Sequence, residues 1–375
     1  MKPTLRILVV VTGLLLAACS ALDRGVPAGS APASTGNGQV TETVSPAAPD
    51  PAFDRLFTRF GGGWTGGDGT YSIGLPDGRT LWMFGDTFLG RVNPDRTRPA
   101  DSPLINNCFV IQDRESLKTL YGGSADSPLA LMTPTDGVGW YWPADGTVEG
   151  DVVRVFFRRF RRTGPDPWQY AWVGTDLAGF SLPNLANATL SPLKFSSEVM
   201  YGSSILEAEG MTYIFGTEDL GERKYAHVAR AAAGQLTGQW EFYTGSGWST
   251  DARLSARILD GVANQFSVLE VRGRFLLLTV DTHTPFSNLL VAYLSHRPWG
   301  PWQGPVAVYT PPEAVGDVVA YNAFAHPEFT HGDRLLVSYN LNAVSDFNIP
   351  YRDADAYRPR FIRVDLKRLL AAFER

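Results

Sequence analysis

Asp68 and Asp86 are the residues of this chain whose type and spacing best suit paired acid–base chemistry. Between them lies Leu75-Pro76-Asp77-Gly78-Arg79, a turn with a mechanism. Pro pre-sets φ at the second turn position, Asp suits the third, and Gly takes the left-handed position that creates a bulge. With a three-residue loop, Leu75 stands opposite Arg79, and counting outward along both arms puts Asp68 opposite Asp86. Opposed residues share a sheet face, with Cβ atoms roughly 4.5–5.5 Å apart. Two carboxyls that close cannot both ionise readily, so one pKa should rise. An acid held beside a base is the arrangement glycoside hydrolysis requires. The competing reading is that both residues merely cap turns beside Gly67, Gly69 and Gly85.

The elements that must position this pair repeat along the chain. Five segments open as strands, turn tightly and return along an apolar strand: Gly67–Ser72, Tyr141–Gly146, Tyr201–Ile205, Asn264–Val268 and Phe324–Glu328. Tyr201, Asn264 and His326 recur at an interval of roughly 62 residues, and Trp240 recurs as Trp302 at the same interval. Abundant Gly (38), Pro (26) and aromatic residues, with few long helical patterns, favour short strands and tight turns. The expectation is an all-β fold, a five-bladed β-propeller forming a single domain over residues 53–375. Asp54–Phe60 is expected to supply the outer strand that the last blade lacks, and Leu366–Phe373 a short C-terminal helix.

In a propeller the first strand of each blade lines a central channel, and ligands bind at its mouth. Hairpin counting about Glu209-Gly210 and Arg272-Gly273 pairs Tyr201 near Glu218 and Asn264 near Asp281. One mouth would then collect Asp68, Asp86, Asp145, Glu218, Asp219 and Asp281 beside Trp64, Trp142, Tyr201, Asn264 and His326. Carboxylates interleaved with aromatic rings suit sugar binding, the rings stacking on apolar sugar faces and the carboxylates accepting hydroxyl hydrogen bonds. Each has a plainer alternative. Trp142 could pack between blades, Asp145-Gly146 could be a turn, Glu218-Asp219 a solvated strand end, and His326 a hydrogen-bonded core histidine. The basic run Arg158-Arg159-Phe160-Arg161-Arg162 reads as a solvated strand end, the alternative being contact with an anionic ligand.

The N-terminus reads as a targeting segment. Lys2 and Arg6 precede the apolar run Ile7–Leu16, which is short for a membrane span. Leu16-Ala17-Ala18-Cys19 resembles a bacterial lipobox. Residues 1–18 are therefore expected to be a lipoprotein signal peptide, and residues 19–52 a lipidated Cys19 with a disordered tether poor in large apolar residues. That places the protein in the cell envelope, facing outward, with membrane contact only through the lipid, or else secreted. Cys108 then lacks a partner and reads as a buried structural thiol. A net charge of −5 without a basic face argues against nucleic acid. The five histidines show no ligand spacing, so no metal is expected, and no phosphate loop or nucleophile elbow points to a cofactor or serine chemistry. The expected partner is a polysaccharide or oligosaccharide, met by a monomer.

With these residues placed, the chain resembles the propeller proteins grouped as domains of unknown function 4185 and 5005. The resemblance rests on Thr65-Gly66-Gly67-Asp68-Gly69, Leu81-Trp82-Met83-Phe84-Gly85-Asp86-Thr87, Tyr141-Trp142-Pro143-Ala144-Asp145-Gly146 and Ala325-His326-Pro327-Glu328. Members of the first group are similar to glycoside hydrolase family 183, endo-acting D-arabinanases. That resemblance implies a furanosyl polysaccharide, D-arabinan among the candidates, and a catalytic pair at the positions of Asp68 and Asp86. A carbohydrate-binding propeller without catalysis is the alternative.

Overall fold

The computed structural model describes residues 45–193, 195 and 197–375. The signal peptide, Cys19 and the tether as far as residue 44 lie outside the described residues. Among those described, five antiparallel sheets of four or more strands follow one another along the chain. Their first strands are Tyr71–Gly74, Trp140–Glu149, Met200–Ala208, Ser267–Val271 and Val318–His331. Each touches the next, and the fifth touches the first, so the sheets close into a ring around a channel. The expected turns set this spacing. Gly78, at φ +86°, lets its N–H reach the Leu75 carbonyl at 3.0 Å, and Leu75 N–H reaches Arg79 at 2.8 Å. The pairs Ile73–Leu81 and Tyr71–Met83 then follow in the counted register. Two-residue turns at Glu209-Gly210 and Arg272-Gly273 join Ala208 to Met211 and Val271 to Arg274.

Apolar faces are buried between neighbouring sheets. Tyr213, Phe215, Phe266 and Leu277 fill the space between the third and fourth. Leu276, Leu335 and Val337 join the fourth to the fifth, with the C-terminal helix Leu366–Ala372 adding Leu369 and Leu370.

Ring closure corrects one expectation. The outer strand of the fifth sheet is Ala47–Pro49, paired with Ile362–Val364, and not Asp54–Phe60. Pro51–Phe57 is a helix instead. Asp50 caps it, its carboxylate accepting from the N–H of Ala52 (3.0 Å) and Phe53 (3.2 Å), while Pro51 occupies the first turn where no N–H is needed. The ordered fold therefore begins inside the segment read as tether. Phe53 and Phe57 pack against Trp64, Trp82, Phe84 and Phe361, wedging this helix between the first and fifth sheets.

Candidate active site

The hairpin that carries the two aspartates runs further than the first sheet. Gly67 pairs with Thr87 and Gly66 with Phe88 in a small three-stranded extension, in the same register as Tyr71–Met83. Between the two ladders the strands break at Asp68-Gly69-Thr70 and Gly85-Asp86. Main-chain bonds cross the break, from Gly85 N–H to the Asp68 carbonyl (2.8 Å) and from Asp68 N–H to the Asp86 carbonyl (3.4 Å). The break turns both side chains into the interior, where neither has exposed surface.

Each carboxyl is half satisfied. Asp68 Oδ2 accepts from the Tyr321 hydroxyl at 2.8 Å, and the buried Tyr357 hydroxyl stands beside the carboxyl and also favours its ionised form. Asp86 Oδ1 accepts from Trp142 Nε1 (2.8 Å) and Asn106 Nδ2 (2.9 Å). Asp68 Oδ1 and Asp86 Oδ2 have no partner. Burial pushes the Asp68 carboxyl up to about 7, against the Tyr321 hydroxyl, which favours its ionised form. Burial and then the charge of Asp68 hold Asp86 well above the usual carboxylate range, against the donors Trp142 and Asn106. The pair therefore retains a proton near neutral pH.

Supports come from distant parts of the chain. Tyr321 belongs to the fifth first strand and Trp142 to the second. Tyr357 ends a short 3₁₀ turn, Ala354–Tyr357; buried Arg358, paired with Asp355 of that turn, and buried Arg98, bonded to the Pro350 carbonyl of the preceding helix, tie this region to the hairpin. Arg98 donates to Thr65 Oγ1 (2.7 Å) and the Thr65 carbonyl (2.9 Å), and Arg358 Nε donates to the same carbonyl (3.0 Å).

Directly above the pair opens a cavity of about 360 Å³ at the channel mouth. Gly69 and Gly85 form its floor. A Cβ on Gly85, which lines the cavity, would lie 2.8 Å from Asp68 Oδ1, so the carboxyl sits close behind that part of the wall. The walls are aromatic (Trp142, Phe160, Trp168, Tyr170, Trp172) and polar (Arg158, Glu198, Asp219, Lys224, Asn264, Asn322). Asp219 takes an ion pair from Lys224 and a hydrogen bond from Asn264 Nδ2 at 2.7 Å. Such a mixture of ring faces and hydrogen-bonding groups can hold a polyhydroxylated ligand.

Asp68, Asp86, Trp142 and Asn264 thus meet at one place, and the other expected members do not. Trp64 is a core residue, fully buried against Phe57 and Phe84. Tyr201 packs among Phe195, Trp240 and Phe242, with its hydroxyl on Ser255. It faces Gly216 and not Glu218, because a bulge between Tyr201 and Ser204 shifts the register. Glu218 is drawn away by Arg257 (2.6 Å) and leaves the cavity to Asp219. Asp281 is bound to His283 (2.6 Å) and borders a small neighbouring recess.

Asp145 lies further along the channel, in a second cavity of about 290 Å³, where the N–H groups of Gly146 (2.8 Å) and Ile205 (2.7 Å) hold its carboxylate. Burial pushes it up to about 8. His326 is a core histidine set between Ser72 (2.6 Å) and Ser338 (2.9 Å), and burial lowers it to about 3. The mouth position of the fifth strand belongs to Tyr321 and Asn322, because that strand bulges between Tyr321 and Phe324.

The family described as a domain of unknown function, DUF5005, matches residues 50–366. The chain belongs to the DUF5005 family. No curated protein matches it. Among solved structures, this DUF5005 member is similar to a protein of Bacteroides ovatus ATCC 8483, provisionally named a hydrolase. The two are 24% identical over 84% of this chain and 89% of that one, with a TM-score of 0.72. It is also similar to the GH43_1 enzyme of Xanthomonas citri crystallised with xylotriose, at 12% identity over 85% of this chain and 89% of that one, TM-score 0.50. At such identities the likeness is one of fold, that of a β-propeller.

Proposed function

We propose that this protein is a glycoside hydrolase that takes a polysaccharide or oligosaccharide into the aromatic cavity and uses Asp68 and Asp86 as its carboxyl pair. The observation that carries the reading is the pair itself. Two buried carboxyls, each with an unpartnered oxygen, lie close to a sugar-sized cavity, Asp68 behind Gly85 and Asp86 bonded to the cavity residue Trp142. The shared fold with a provisional hydrolase and with an enzyme that binds xylotriose lends support.

In this mechanism Asp86, which burial and the charge of Asp68 keep protonated, gives its proton to the glycosidic oxygen as the bond to the anomeric carbon breaks. Asp68, once ionised above about pH 7 and with its charged form favoured by the Tyr321 hydroxyl, either takes a proton from the attacking water or bonds to the anomeric carbon until water displaces it. Because neither carboxyl has exposed surface, catalysis requires the floor at Gly69 and Gly85 to open as the glycan seats. That burial also favours a second reading, a propeller that binds carbohydrate without cleaving it.

Resemblance to glycoside hydrolase family 183 makes furanosyl polymers, D-arabinan among them, the first substrates to try. A lipid on Cys19 would hold the propeller at the cell envelope. Incubating the protein with a panel of furanose and pyranose polysaccharides separates the readings. New reducing ends support hydrolysis, binding without them supports the lectin, and absence of both refutes a carbohydrate role.

A further inference from the structure

The cavity wall contains a buried cation that no carboxylate among the described residues contacts. Arg158 is 6% exposed and lines the cavity. Its guanidinium donates to the carbonyls of Asn264 (2.9 Å) and Met200 (3.1 Å) and to Ser203 Oγ (2.6 Å), all uncharged. Of five N–H donors three are used, and Nε is buried with no acceptor. Among the described residues, Asp219 is the carboxylate whose charge reaches it, and Asp219 is already paired with Lys224. Two cations therefore share one anion in this part of the wall. Glu198 also borders the cavity, but it is exposed, where water and salt screen its charge. A buried, incompletely bonded guanidinium is costly unless an anion completes it.

Resting on the reading that the cavity holds a glycan, we infer that the glycan is acidic. A sugar bearing one negative oxyanion, as a uronate carboxylate or a sulfate monoester, sets that group against Arg158 while its ring lies on the aromatic wall. The guanidinium fork suits both oxyanions, because each presents two oxygens in one plane. The strand end read from sequence as solvated is thus split. Arg159 faces out to Asp136, whereas Arg158 faces the ligand.

Calorimetry on the full chain tests this with three matched probes: a hexuronate-containing oligosaccharide, its carboxyl-reduced neutral product, and that neutral product carrying one sulfate ester. At low salt the uronate or the sulfate should bind about tenfold or more tighter than the neutral probe. The arm that does so identifies the oxyanion. The preference should shrink as salt rises and disappear in Arg158→Gln. If that variant does not fold, Arg158→Lys, which keeps the charge and loses the fork, should show a reduced preference. Neutral and acidic probes binding equally to the wild type would overturn the inference and leave the glycan reading standing. If no probe binds, the inference falls, while the glycan reading is decided by the polysaccharide panel. A preference undiminished in a folded Arg158→Gln would remove the arginine from the site.

Discussion

Replacing Asp68 by Asn takes one ionisable group out of a place where ionisation is expensive. An ordinary aspartate titrates near 3.8, and burial pushes this one up to about 7. At roughly 1.4 kcal/mol per pH unit, the difference is worth about 4 kcal/mol. Its sign follows from proton uptake. The folded chain holds the proton more tightly than the unfolded chain, so the contribution to stability is present below pH 3.8 and is lost as pH rises through about 7. Asparagine never ionises. The variant should therefore match the wild type near pH 4 and exceed it by about 4 kcal/mol near pH 8. With unfolding entropy of about 2.1 cal/mol/K per residue over roughly 330 residues, the melting temperature rises by about 6 °C. Asp86, relieved of its neighbour's charge, comes down and adds in the same direction. Asp54 and Asp145, also raised by burial, are common to both proteins and cancel. Calorimetric melting and urea unfolding from pH 4 to 8.5 read the difference directly. Parallel curves for the two proteins would refute the raised Asp68.

Other outcomes follow from the same geometry. Gly85→Ala places a Cβ 2.8 Å from Asp68 Oδ1, so turnover should fall at least tenfold while circular dichroism stays native. Trp142→Phe keeps a ring but removes a donor to the Asp86 carboxylate. Its acid then holds the proton more tightly, and the alkaline limb of the pH–rate profile should move upward by about one pH unit. The acidic limb of the wild type should fall near pH 7, where Asp68 becomes ionised. His326, held neutral down to about 3, takes up protons only when the chain unfolds. It thus costs stability progressively as pH falls from 6.5 toward 3, and His326→Gln should flatten that loss in acid melting curves.

How much of this was legible in the chain depends on distance along it. The turn at Pro76-Asp77-Gly78 is local chemistry, and from it the register of Asp68 against Asp86 follows across eighteen residues of sequence. The five strand openings and their returns were legible for the same reason. Bulges were not. The third and fifth first strands each carry one at the level of the cavity. That displaced Glu218 from the mouth and substituted Tyr321 and Asn322 for His326. Aromatic type could not separate Trp64 and Tyr201, which fill cores, from Trp142, which faces the cavity, since all three follow similar glycine-rich or strand-like contexts. Asp50-Pro51 did carry a helix-start signal, an N-cap followed by proline, that outweighs the strand reading of Asp54–Phe60. Tyr321 and Tyr357, which stand over Asp68, come from more than two hundred residues away. Only the closed ring brings them in.

The most direct test is reducing-end release by the wild type, Asp68→Asn and Asp86→Asn on whichever glycan the wild type cleaves, with binding of that glycan measured in parallel. Loss of about 10²–10⁴-fold in turnover in both variants, with binding retained, is the expected result. Turnover that survives either substitution would contradict the paired-carboxyl mechanism.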